Sequence, residues 1–158
     1  MNPVLIHEIY HKSPVTILED VSVRDALNTI LHKGINGLVV VNKASKVVGV
    51  LAVQDIAGAT IPRQFKKNIH MAAAMYRKGF FSESCLAIQD DPVSKYMRKN
   101  FVSVNLQDNI MAVTADFLKN DLYIVPVIED GKLLGVITRS EIKKALAYGM
   151  KLQELCPT

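Results

Sequence analysis

Residues 49–56, GVLAVQDI, return with small changes as GVITRSEI at residues 135–142. The match extends upstream: VTILEDVSVRDALNTILHKGINGLVVVNKASKVVGVLAVQDI aligns with VSVNLQDNIMAVTADFLKNDLYIVPVIEDGKLLGVITRSEI. Further upstream, IHEIY at residues 6–10 matches VSKYM at 93–97. A repeat of this length restricts the fold, because one copy is a single supersecondary unit that needs a partner to bury its apolar face.

Each copy reads the same way. Val23, Ala26, Leu27, Ile30 and Leu31 fall on Ile110, Val113, Thr114, Phe117 and Leu118, and this spacing predicts one helical face. Ser22 and Asn109 stand just before these runs as N-caps. Gly34 closes the first helix in a left-handed conformation and Asn120-Asp121 closes the second. Leu38–Val41 and Tyr123–Ile128 are β-rich, the turns NKASK and EDGK follow, and another apolar strand leads into the repeated phrase. The first turn is one residue longer, an insertion that a hairpin tip tolerates. The expected architecture is α/β, two β-α-β-β-α repeats related by a pseudo-twofold axis.

Composition narrows the class. The chain has 158 residues, 49% apolar and 22% charged, with a net charge of +4. That is an ordinary globular balance. The longest apolar runs, such as LVVV and YIVPVI, are far short of a membrane span. The start of the chain carries His7 and Glu8 and no long apolar segment, so no secretory signal is expected and the expected location is cytoplasmic. Cys85 and Cys156 have neither disulfide-framework nor metal-ligand spacing.

Each copy resembles a CBS domain, the module named after cystathionine β-synthase, and the two together resemble a tandem CBS pair, or Bateman module. The residues that carry the resemblance are VSKYMRKNFVSV and LYIVPVIEDGKLLGVITRSEI, with VVVNKASKVVGVLAVQDI as the weaker copy. It covers residues 4–62 as repeat 1 and 91–148 as repeat 2, leaving 63–90 as a linker helix and loop and 149–158 as a tail. The resemblance implies two clefts between the repeats that hold adenosine-containing ligands such as AMP, ATP or S-adenosylmethionine. It also implies a sensor or regulator without chemistry or required cofactor of its own, a homodimer, and a regulated partner protein.

The family's corner motif is Gly, an apolar residue, any residue, Thr or Ser, two residues, then Asp or Asn. A helix N-terminus there offers free N–H groups to a phosphate beside a hydroxyl, and the acid accepts hydrogen bonds from ribose. Gly135, Thr138 and Glu141 match, with a longer acid; Gly49 and Asp55 match, with Ala52 in place of the hydroxyl. Thr138 and Glu141 equally spell a capping box. With Ala52 at the cap, Asp55 cannot complete such a box, which leaves its carboxylate for ribose or for the helix dipole.

The same alignment makes further residues candidates. Thr16 and Ser103 begin the strand that lies against adenine in the family. Val125 and Pro126 match an apolar-Pro-Val segment, with Leu38 opposite them in copy one. Asn36-Gly37 allows close approach to backbone, Tyr123 offers a ring for a base to stack on, and Arg139 is placed to aid phosphate binding. Core or turn packing accounts equally well for these positions.

Two other features point elsewhere. His7-Glu8-Ile9-Tyr10-His11 spells H-E-x-x-H, a zinc-peptidase signature on a long helix. Here Pro14 ends any helix near Ser13, and the matching SKYMR has no ligands, so no metal site is expected. Over residues 61–78, Ile61, Phe65, Ile69 and Tyr76 form an apolar stripe opposite Arg63, Lys66, Lys67, His70, Arg77 and Lys78. That basic face reads as solvated, and no nucleic-acid motif accompanies it. No nucleophile, base and orienter can be assembled. The expectation is a non-catalytic regulatory module binding an adenine nucleotide, or else a dimerising scaffold with degenerate pockets.

Overall fold

The computed structural model describes residues 3–62, 68, 70 and 79–155. Most of the expected linker helix over 61–78, with its stripe and basic face, and Cys156 lie outside the described residues.

Repeat one runs α1 (Ile6–Ile9), β1 (Thr16–Leu18), α2 (Val23–Lys33), β2 (Gly37–Val41), β3 (Val47–Ala52) and α3 (Val53–Ala59). After α4 (Phe80–Ile88), repeat two has a 3-10 turn at Val93–Lys95, then α5 (Ile110–Asn120), β4 (Ile124–Glu129), β5 (Lys132–Thr138) and α6 (Arg139–Gly149). Helix α4 occupies a stretch that the sequence reading leaves as loop, entered from Gly79 at φ 83°.

The helix ends follow local chemistry. Ser22 Oγ accepts from Asp25 N–H at 3.1 Å and Asn109 Oδ1 from Ala112 N–H at 3.0 Å, each satisfying an orphan donor of the first turn. Gly34 and Asp121 take the left-handed conformation at the C-caps of α2 and α5, with φ 62° and 49°. The helical stripe divides in two. Val23, Ala26 and Ile30 are buried, as are Ile110, Val113 and Phe117, whereas Leu31 and Leu118 stand 70% and 82% exposed.

Helix α1 is too short for the zinc signature. It stops at Ile9, and Tyr10 turns extended with ψ 151°, so His7 and His11 do not share a helical face. Glu8 is taken up as a cap, accepting from Leu5 N–H at 2.7 Å.

Strand β1 pairs parallel to β2, which pairs antiparallel to β3; β4 and β5 form an antiparallel hairpin. The strand expected to begin at Ser103 shrinks to a single parallel bridge, Val104 to Val127. Pro126 supplies the reason. In repeat one Val39 N–H donates to Val15 C=O at 3.0 Å, and the corresponding Pro126 has no N–H to give.

The repeats exchange their leading segments. Ile6 and Ile9 pack in the core of repeat two with Val113, Phe117, Val125 and Ile137. Val93, with Tyr96 and Met97 against it, packs in the core of repeat one with Ala26, Leu38 and Leu51. The backbone follows the same exchange: Leu5 bridges Asn109 while Ser22 bridges Pro92, and His11 bridges Val136 while Val50 bridges Arg98. A third apolar cluster, Val39, Val47, Val50, Ile124 and Val136, joins the two sheets.

Each lead crosses the last strand of the other repeat, β5 or β3, at the glycine of the repeated phrase. A Cβ on Gly135 would collide with the His11 carbonyl and lie 2.6 Å from the Tyr10 ring; one on Gly49 would lie 2.8 Å from Met97 Sδ and 2.9 Å from the Arg98 carbonyl. Gly135→Ala is expected to cost about 1–3 kcal/mol as overpacking. Gly58→Ala, in α3 with open space around it, is expected to gain about 0.5–1 kcal/mol. Urea unfolding of the two variants checks both, and equal stabilities would contradict the crossing.

Candidate functional site

Where β5 runs into α6, Thr138 holds an extended backbone and caps the helix. Its main-chain N–H donates to Glu141 Oε2 at 2.7 Å and its hydroxyl to the same oxygen at 2.6 Å, while Ser140 N–H reaches Thr138 Oγ1 at 3.3 Å. The capping box is therefore formed. Glu141 is 3% exposed, the buried charged side chain among the described residues, and its Oε1 accepts no hydrogen bond there.

A cleft of about 740 Å³ opens beside this corner. One wall carries Thr138, Arg139, Ser140, Glu141, Lys143 and Lys144 from β5 and α6, and the other Gly34, Ile35, Asn36, Gly37, Val53 and Gln54 from repeat one. His11, Ser13 and Val15, after the exchanged lead, line it too, with Tyr123, Ile124 and Val136 from repeat two. The side-chain amide Nε2 of Gln54 is buried with no hydrogen-bond partner among the described residues. A buried donor left open in this way costs about 1–3 kcal/mol unless something supplies an acceptor.

Of the residues singled out in the sequence, Asn36, Gly37, Tyr123, Thr138, Arg139 and Glu141 line this one cleft. Leu38 and Val125 are fully buried in the two repeat cores, and Pro126 is fully buried in β4. Thr16 and Ser103 are exposed and do not line the cleft. Tyr123 does not present a free ring, because the Arg139 guanidinium sits over it at 4.5 Å, an attraction of about 0.5–1 kcal/mol at an exposed site.

Asp55 is not left free as expected. Its Oδ2 accepts from Ala52 N–H at 2.9 Å, half of a capping box without a hydroxyl, and its Oδ1 accepts from Arg98 Nε at 3.0 Å. The side chain of Asp55 is only 10% exposed. The carboxylate is engaged from both sides.

Among the cleft residues that escaped the sequence reading are His11, Gln54, Lys143 and Lys144. The lysines follow Glu141 by two and three residues, so their reach was legible once α6 was placed. His11 was not, because only the exchange of leads brings it there.

A protein-family model, the CBS domain, matches residues 6–61 and again 93–148. The chain belongs to the CBS domain family. Among curated proteins it is 25% identical over 141 residues to the A-adding tRNA nucleotidyltransferase of Aquifex aeolicus; that match takes in 89% of this chain and only 14% of the relative's length. Among solved structures, the CBS domain pair of protein MJ0100, in complex with 5′-methylthioadenosine and S-adenosyl-L-methionine, aligns with a TM-score of 0.70 at 22% identity, covering 95% of this chain and 99% of that one. CBSX2 in complex with AMP aligns with a TM-score of 0.68 at 22% identity, covering 94% and 98%. These likenesses carry the fold of a CBS pair, with its two repeats.

The Thr138–Glu141 corner also bears on stability. Thr138→Ala removes the cap hydroxyl and one of the two hydrogen bonds to a buried carboxylate. The expected loss is about 1 kcal/mol, read as a lower urea midpoint with an unchanged m-value.

Proposed function

We propose that this CBS pair is a non-catalytic regulatory module that binds an adenosine-containing ligand, AMP or ATP being the first candidates, in the cleft lined by Thr138 and Glu141. One observation carries the reading. The cleft wall holds two polar groups with capacity to spare, the buried Gln54 Nε2 and Glu141 Oε1, beside the N-terminus of α6. Such an N-terminus attracts anions, and Arg139, Lys143 and Lys144 add positive charge. A nucleotide matches this set: phosphate for the helix end and lysines, ribose hydroxyls for Glu141, and a base for the apolar Ile35 and Val53 side. Solved CBS pairs named with AMP, 5′-methylthioadenosine and S-adenosyl-L-methionine support the class of ligand.

The ligand would act by bracing one repeat against the other, since the cleft walls come from both. A regulated partner protein would read that change; any enzymatic activity would belong to other domains. The competing reading, a scaffold with degenerate pockets, predicts no ligand at all. A thermal-shift series with AMP, ATP, adenosine and S-adenosylmethionine separates them, a ligand at about 100 times its Kd adding about 2.7 kcal/mol. Thr138→Ala is expected to weaken AMP and ATP more than adenosine. If no adenine ligand moves the melting temperature, the scaffold reading stands.

The outward half of the helical stripes supports a homodimer. Leu31 on α2 and Leu118 on α5 are equivalent positions of the two repeats, and Met111 on α5 is 76% exposed. An apolar patch of this kind marks an interaction surface. Sedimentation velocity is expected to give a dimer for the parent chain and a monomer for Leu31→Glu combined with Leu118→Glu.

A further inference from the structure

The exchange of leads makes the two corners geometric equivalents, and their chemistry is opposite. We infer that the chain holds one nucleotide per pair of repeats, and that the twin cleft at Asp55 is a latent nucleoside site kept shut by Arg98. This inference rests on the ligand reading above.

His11 follows the first lead and lines the open cleft; Arg98 follows the second lead at the matching place. There it does not point away from the corner. Its Nε donates to Asp55 Oδ1 at 3.0 Å, and its terminal nitrogen donates to the Asp121 carbonyl at 3.2 Å. Asp121 is the equivalent of Gly34, which lines the open cleft. Arg98 therefore ties the helix corner of repeat one to the end of α5 in repeat two, across the space that the open cleft leaves free.

The carboxylates differ accordingly. Glu141 keeps one oxygen without a hydrogen bond, whereas both oxygens of Asp55 are taken. A ribose diol is neutral and must displace a guanidinium held in a charge-assisted bond. The guanidinium is also covalently attached, so it competes at a high effective concentration. Where the corner of the open cleft has Thr138, Lys143 and Lys144, the corner of the twin has Ala52, Ala57 and Gly58. Removing Arg98 would expose an acceptor for ribose at a helix corner that lacks the cap hydroxyl and the two lysines of the open cleft. The latent site would take a neutral nucleoside such as adenosine in preference to AMP.

Isothermal calorimetry of the full chain with adenosine and AMP tests this. Arg98 holds β3 through its main chain, N–H and C=O to Val50, so side-chain variants retain that pairing; Arg98→Gln serves beside Arg98→Ala, with melting curves to identify folded protein. The parent is expected to bind one equivalent of either ligand. Both Arg98 variants are expected to bind two of adenosine, the second at least tenfold more weakly for AMP. Adding Asp55→Ala is expected to return the count to one. Two equivalents on the parent, or one on the parent and one on the folded Arg98 variants, overturns the latch while leaving the open-cleft reading intact. No binding to the parent with one adenosine on the variants supports the latch and sinks the open-cleft reading. No binding to any form overturns both.

Discussion

Everything in this molecule depends on two short main-chain crossings, His11 with Val136 and Arg98 with Val50. Each lead lies across the other repeat's last strand, donating and accepting at 2.8–3.1 Å. Main-chain groups in a buried crossing must be paired, so the backbones approach closely, and only a residue without a Cβ leaves room. Gly49 and Gly135 meet that requirement. The glycine of the repeated phrase is thus explained by packing before any ligand is considered. Because each core contains the other's lead, neither repeat is complete without its partner.

The same frame makes the two corners differ through a handful of atoms. Both acids reach back to the N–H of their cap, but Glu141 does so with one oxygen and keeps the other in the cleft wall. The second oxygen of the shorter Asp55 meets Arg98. That ion pair is partly buried, and its worth is the difference between charge attraction and desolvation of both groups. Its structural result is clearer than its energy: a side chain from one repeat closes a corner of the other, and anchors on the carbonyl of Asp121.

Much of the fold was legible because it is written in local rules. The caps at Ser22 and Asn109, the left-handed Gly34 and the hairpin turns each follow from a few neighbouring residues, and the repetition of that order yields two like units. What escaped is non-local. Nothing near IHEIY says that its isoleucines belong to the second core. The divided stripe, with Leu31 and Leu118 outside, depends on how much of each helix the sheets can cover. Pro126 could be seen to lack a donor, yet its effect on the strand beside Ser103 required knowing which bond was lost. At the site, the Thr138 corner was readable from the motif, while the capture of Asp55 by Arg98 joins residues 43 apart in sequence and could not be seen in either copy alone.

The exchanged leads also set an order of events during synthesis. Ile6 and Ile9 leave the ribosome well before the surfaces that bury them, on α5, β4 and β5. Until then the first repeat also lacks the Val93 segment that completes its own core. Contacts so distant in sequence form slowly, and a nascent first repeat would expose apolar surface until the second is made. The chain's most aggregation-prone moment therefore falls before residue 93 emerges, when one half exists and neither of its missing pieces does.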